Sequence, residues 1–231
     1  MIRHKIARAA LALTAAAAIL ASPARAEMVL SQVIVDLLPD KPPREDIEVF
    51  NAGEERMYVS AEPFEIRHAG TPAEKRVAAI DPEASGILVS PRRLVIEPGE
   101  RRLVRVAAIG ARGSSDRVYR VTIQPVAGPI GAETSALKIL VGYDTLVLVR
   151  PERFVGDVEA TRDGRTVTLT NVGNTAQELF DGTQCDAAGI NCRDLPAKRL
   201  YPGATWEQTL PYDTPATYRA AIGPTVRARE F

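Results

Sequence analysis

Two cysteines and one histidine outside the first few residues hold most of the reactive side-chain chemistry of this 231-residue chain. Cys185 and Cys192 bracket a short loop-like stretch, CDAAGINC. In an exported protein that spacing predicts one local disulfide, and too few further ligands lie nearby for a metal. His68 sits beside Arg67 and close to Gly70 in a polar stretch, without a G-x-S-x-G or another nucleophile motif around it. The chain has no phosphate-binding glycine loop and no H-E-x-x-H. These residues therefore predict binding rather than catalysis, with no cofactor and no metal.

The beginning of the chain predicts the compartment. Arg3, Lys5 and Arg8 precede an apolar stretch from Ala9 to Leu20, and Ala24-Arg25-Ala26 offers a small-x-small cleavage pattern. The apolar run is too short to span a bilayer of roughly 30 Å as a helix. We therefore expect residues 1–26 to be a cleaved signal peptide, with the mature chain exported and not inserted in the membrane. The whole chain balances 29 basic against 29 acidic residues. Removing four basic leader residues leaves a mildly acidic protein, which argues against nucleic acid as a partner.

The elements that must position a binding site read as strands. Asp46–Phe50, Met57–Ala61, Ile87–Val89, Leu94–Ile96, Leu103–Ile109 and Val118–Val126 are short alternating or β-branched runs. Turn residues separate them at Asn51-Ala52-Gly53 and Glu97-Pro98-Gly99-Glu100. After Pro151 the rhythm restarts, with Asp163-Gly164 as a hairpin signal and turns at Asn171-Val172-Gly173-Asn174 and Leu200-Tyr201-Pro202-Gly203. This predicts an all-β chain of two β-sandwich domains, residues 27–151 and a smaller 152–231.

One run differs from the others. Ala136–Arg150 is long for a strand, and Leu137, Ile139, Val141, Tyr143, Thr145, Val147 and Val149 share one parity. That nearly continuous apolar face is expected to need a partner, either a core of its own or another chain.

Three segments resemble one family. VSPRRLVIEPGERRLVRV (Val89–Val106), DRVYRVTIQP (Asp116–Pro125) and LVLVRP (Leu146–Pro151) are similar, in order and spacing, to chaperone–usher pilus chaperones. The resemblance covers roughly residues 28–151, with a weaker match beyond. It implies two immunoglobulin-like sandwiches in an L, and a long strand donated to pilin-like subunits before delivery to an outer-membrane usher. It places the subunit-binding residues at Leu137, Ile139 and Val141, an exposed strand that could also support self-association. It implies an interdomain ionic cluster of Arg105, Asp116 and Arg150. It also implies a basic anchor for the subunit's terminal carboxylate, yet the matching positions are Leu146 and either Val35 or Asp36, none of them basic. Lys138 and Arg44 are the candidates left for that role. The alternative reading is an immunoglobulin-like structural or adhesive protein whose long strand completes its own domain.

Overall fold

The computed structural model describes residues 27–126 and 140–231. Alternation of apolar and polar residues turns the first half into two packed sheets. Its elements are β1 (Met28–Leu30), β2 (Ile34–Leu37), β3 (Arg44–Asn51), β4 (Met57–Arg67), β5 (Lys75–Ala78), a single helical turn α1 (Pro82–Ser85), β6 (Ile87–Ser90), β7 (Arg93–Ile96), β8 (Arg101–Ala108), β9 (Arg117–Val126) and β10 (Tyr143–Val149). One sheet runs β1-β3-β8-β6; the other runs β2-β10-β9-β4-β5, with β7 also on β4. Ile47, Val49, Val104 and Val106 of the first sheet meet Val59, Ala61, Val121, Ile123, Val147 and Val149 of the second in one core. The β-branched and aliphatic stretch from Val29 to Leu38 is divided between the sheets: β1 pairs with β3, and after three residues β2 pairs with β10 in parallel.

The second half repeats the arrangement on a smaller scale. β11 (Val158–Asp163), β12 (Thr166–Asn171) and β16 (Thr205–Thr209) form one sheet. β13 (Gln177–Cys185), β14 (Cys192–Leu195), β15 (Lys198–Leu200), β17 (Thr217–Ile222) and β18 (Thr225–Glu230) form the other. Val167 and Leu169 pack against Leu179, Leu200, Tyr218 and Ala220, and Trp206 sets its ring edge-on to Tyr218 at 6.4 Å. Gly164, at φ 57°, closes the β11–β12 hairpin at the predicted Asp163-Gly164. Cys185 and Cys192 are cross-strand neighbours on β13 and β14 and are joined by a disulfide.

The long predicted strand is shorter than its sequence suggests. β10 starts at Tyr143, residues 140–142 are described but carry no strand pairing, and Leu137 and Ile139 lie outside the described residues. Tyr143, Val147 and Val149 direct the expected apolar parity into the first half's own core. The opposite parity is apolar as well: Leu146 and Leu148 pack with Ile66, Val118 and the second half's Ala176, against Tyr201. A strand buried on both faces loses its alternation, so parity alone could not say which face was free.

Candidate functional site: the β10 edge and the junction between the halves

The edge of β10 changes character along its length. On one side β9 pairs with all of it, from Tyr143 to Val149. On the other side β2 pairs only with Leu146–Val149. Among the described residues, Tyr143–Thr145 therefore present an edge with no strand beside it. Val33 and Ile34, at the start of β2, are exposed there, and Val141 is 64% exposed just before β10. Backbone groups along an open edge with apolar side chains around it are what an added strand requires.

At its other end β10 runs into the junction. Arg150 follows the strand and is buried, its side chain 6% exposed. Its Nε and Nη2 donate to the Asp36 carboxylate at 2.7 and 3.0 Å. Its Nη1 donates to Asp116 at 3.0 Å and to the Thr175 hydroxyl and the Ala176 carbonyl at 2.9 Å. Asp116 in turn accepts from the Thr175 hydroxyl at 2.9 Å and the Ala176 N–H at 2.6 Å. One guanidinium thus joins β2, the start of β9 and the second half through charge-assisted bonds. Burial pushes the Asp116 carboxyl above the ordinary aspartate range, while Arg150, the Ala176 N–H and Thr175 pull it back.

Arg105 does not belong to this cluster, which corrects the expectation drawn from the resemblance. Val104 and Val106 face the core, so Arg105 between them faces solvent on the four-stranded sheet. It pairs across the strand with Asp46, through bonds of 2.8 and 2.7 Å, and its side chain is 51% exposed. The place given to Arg105 is taken by Asp36, which the sequence reading treated only as a position lacking a base. A second residue was missed entirely: Arg112, in the β8–β9 loop, donates to the carbonyls of Leu37 and Arg150 at 2.8 Å and of Leu38 at 2.7 Å. No sequence motif marks an arginine whose hydrogen bonds all go to main-chain oxygens.

The positions expected to hold a basic anchor are closed. Leu146 is 4% exposed in the apolar cluster beneath Tyr201, Val35 lies in the first half's core, and Asp36 is bound to Arg150. Of the substitutes, Arg44 begins β3 opposite Ala107 in the other sheet, and Lys138 lies outside the described residues. Arginines do line the junction elsewhere. A cavity of about 310 Å³ between the halves is walled by Arg76, Arg120, Asp144 and Tyr201 over Ile66 and Val118. Arg76 holds Asp144 with two bonds of 2.9 and 2.8 Å, which depresses the Asp144 carboxyl below its ordinary range. Arg120, the β9 neighbour of Leu146, donates to the Asp144 main-chain carbonyl at 3.0 Å, its Nε 3.9 Å from the carboxylate.

His68 lies exposed at φ 54° in the β4–β5 turn, where its carbonyl accepts from the N–H and hydroxyl of Thr71. Among the described residues no three His, Cys, Asp or Glu side chains gather as metal ligands, and no helix is long and apolar enough to cross a membrane.

No family model and no curated protein matches the chain. Solved structures do. The class 5 fimbriae chaperone CfaA is similar at a TM-score of 0.65 and 17% identity, over 88% of this chain and 98% of that one. A chain from the complex of the Salmonella enterica SafA pilin with the SafB chaperone gives 0.62 and 13%, over 91% and 98%. A chain from the CsuC–CsuE chaperone–tip adhesion subunit pre-assembly complex of Acinetobacter baumannii gives 0.60 and 12%, over 88% and 97%. At these identities the likeness is one of fold: the two-sandwich architecture of periplasmic fimbrial chaperones, present over nearly the whole chain.

Proposed function

We propose that this protein is a periplasmic chaperone that binds fimbrial or related secreted subunits by strand addition and hands them to an outer-membrane usher. The observation that carries the reading is the open edge of β10 at Tyr143–Thr145, with Val33, Ile34 and Val141 exposed around it, on a fold shared with fimbrial chaperones. Main-chain bonds along such an edge give affinity without sequence preference, and alternate side chains entering the subunit select it. In this reading residues 1–26 are the export signal, 27–151 and 152–231 are the two domains, and Leu137, Ile139 and Val141 are the side chains offered to the subunit. Arg120 is the cation offered to a carboxylate in the cleft: its hydrogen bond goes to a neutral carbonyl, and it holds the Asp144 carboxylate only at 3.9 Å, less closely than Arg76 does. The protein acts by binding and carries out no chemistry of its own.

Co-expression with a pilin-like subunit that lacks its final strand tests this. The wild-type protein should co-purify with the subunit, and the triple change of Leu137, Ile139 and Val141 to Thr should abolish capture. A complex that survives the triple change would overturn the strand-addition reading.

A further inference from the structure

β2 is only four residues long, yet it decides where the open edge of β10 ends. From Leu146 onward β2 occupies that edge, with the Leu146 N–H bonded to the Val33 carbonyl and the Arg150 N–H to the Leu37 carbonyl. A strand added beside Tyr143–Thr145 must stop or turn where β2 begins. A four-residue edge strand frays readily unless something fixes its ends, and the far end of β2 is fixed by side chains.

Because β2 and β10 run parallel, their last carbonyls emerge at the same place. Leu37, Leu38 and Arg150 present these oxygens together just past the ladder, and Arg112 reaches all three from the β8–β9 loop. The Arg112 side chain is 10% exposed, and its Nε lies 3.8 Å from the outlying Glu152. A planar fork with five N–H donors can serve three oxygens in different directions; a single ammonium on a flexible stem cannot hold the same geometry. Asp36 adds the second fastening, through its two bonds to Arg150.

We propose that Arg112 is a positioning residue that locks β2 onto the C-terminal half of β10, and so sets the point beyond which no partner strand can extend. The functional meaning of the lock rests on the strand-addition reading, but the lock belongs to the free protein and is tested there. Amide hydrogen exchange of the mature chain should show Leu146 and Arg150 exchanging roughly tenfold faster in Arg112→Met, as expected for local opening of a short element. The β4–β9 ladder should keep its wild-type rates. Arg112→Lys should give an intermediate change at the same two amides, and it carries the test if Arg112→Met does not fold. Unchanged rates at Leu146 and Arg150, or an equal rise across β4–β9, would overturn the proposal. Failure of the wild-type protein to capture a subunit, while exchange at Leu146 and Arg150 still speeds up in Arg112→Met, would count against the strand-addition reading and leave the lock standing.

Discussion

Two corners of the molecule are built alike and used differently. At the end of β3, buried Asn51 donates its side-chain amide to the carbonyls of Glu55 and Ile96 and accepts from the Gly53 N–H. At the end of β12, buried Asn171 does the same with Thr175, Leu200 and Gly173. The main chains match as well: the Gly99 N–H bonds the Asn51 carbonyl, and the Gly203 N–H bonds that of Asn171. Each corner stitches a strand end to a Pro-Gly turn, Pro98-Gly99 in one half and Pro202-Gly203 in the other. The difference lies in the residues carried on the turn. In the first half these are Glu54, Glu55 and Arg56, all exposed; in the second they are Asn174, Thr175 and Ala176, which face the other half.

That exchange makes the second corner an interface. Asn174 donates to the Ser114 carbonyl and its own carbonyl accepts from Asp116 N–H and the Ser115 hydroxyl, while Thr175 and Ala176 bond Asp116 and Arg150. The linker is pressed against the same corner. A side chain at Gly156 (φ 82°) would come within 2.5 Å of Gly173, so glycine is required there. The Asn corner is thus a device of the fold, present in both sandwiches, and the three residues after it decide whether that corner faces water or a neighbour.

The comparison is broken most severely at Arg150. Arg150→Met would leave Asp116 buried among Thr175 and Ala176 without its counter-charge, and would release Asp36. Removing one partner of a buried pair costs about 3–5 kcal/mol. Chemical denaturation should show that loss, with the second half's contacts to the first released before the first half's own core. A loss below about 1 kcal/mol, the range of exposed pairs, would mean the junction does not depend on this cluster.

Replacing the two asparagines sharpens the comparison. Asn51→Ala and Asn171→Ala each leave two carbonyls and one N–H without their side-chain partner, a cost of about 2–3 kcal/mol apiece. Equal losses would identify the corner as a shared device of the fold. Only Asn171→Ala should also speed exchange at the Ala176 N–H, because only there does the corner support the junction. Faster exchange at Ala176 in Asn51→Ala would refute the division of labour.

Much of this was legible from sequence, though in separate pieces. Both Asn-x-Gly turns and both Pro-Gly turns stood out, because glycine and proline announce themselves through backbone geometry. What joins each pair is a hydrogen bond between residues far apart in the chain, and spacing cannot report it. The junction cluster was half legible: Asp116 and Arg150 stood out by resemblance, while Asp36 and Arg112 did not, because their partners lie on other strands or in the main chain. Arg105 was misplaced for the same reason. Its charge was plain, but only the alternation of Val104 and Val106 in a known sheet shows that it faces water. The apolar parity of the long run was legible, but not the open edge at Tyr143–Thr145 or its limit at Leu146, which depend on where β2 docks.

The smallest expected effect concerns pH, and it separates the corners through the only carboxylate buried at either, Asp116. Burial raises this group's folded-state pKa above the unfolded one, so the folded protein holds the proton more tightly. The group then stabilises the fold most where it is protonated, and that contribution declines as pH rises from the ordinary aspartate range through the raised folded value. Arg150, the Ala176 N–H and Thr175 oppose the shift, which is why the effect should be modest. Measured as the difference in unfolding free energy between wild type and Asp116→Asn, wild type should lose ground as pH rises through that window and then level off. If the wild-type advantage grew with pH instead, pairing with Arg150 would outweigh burial, and the second corner would be held by its charge more than by its packing.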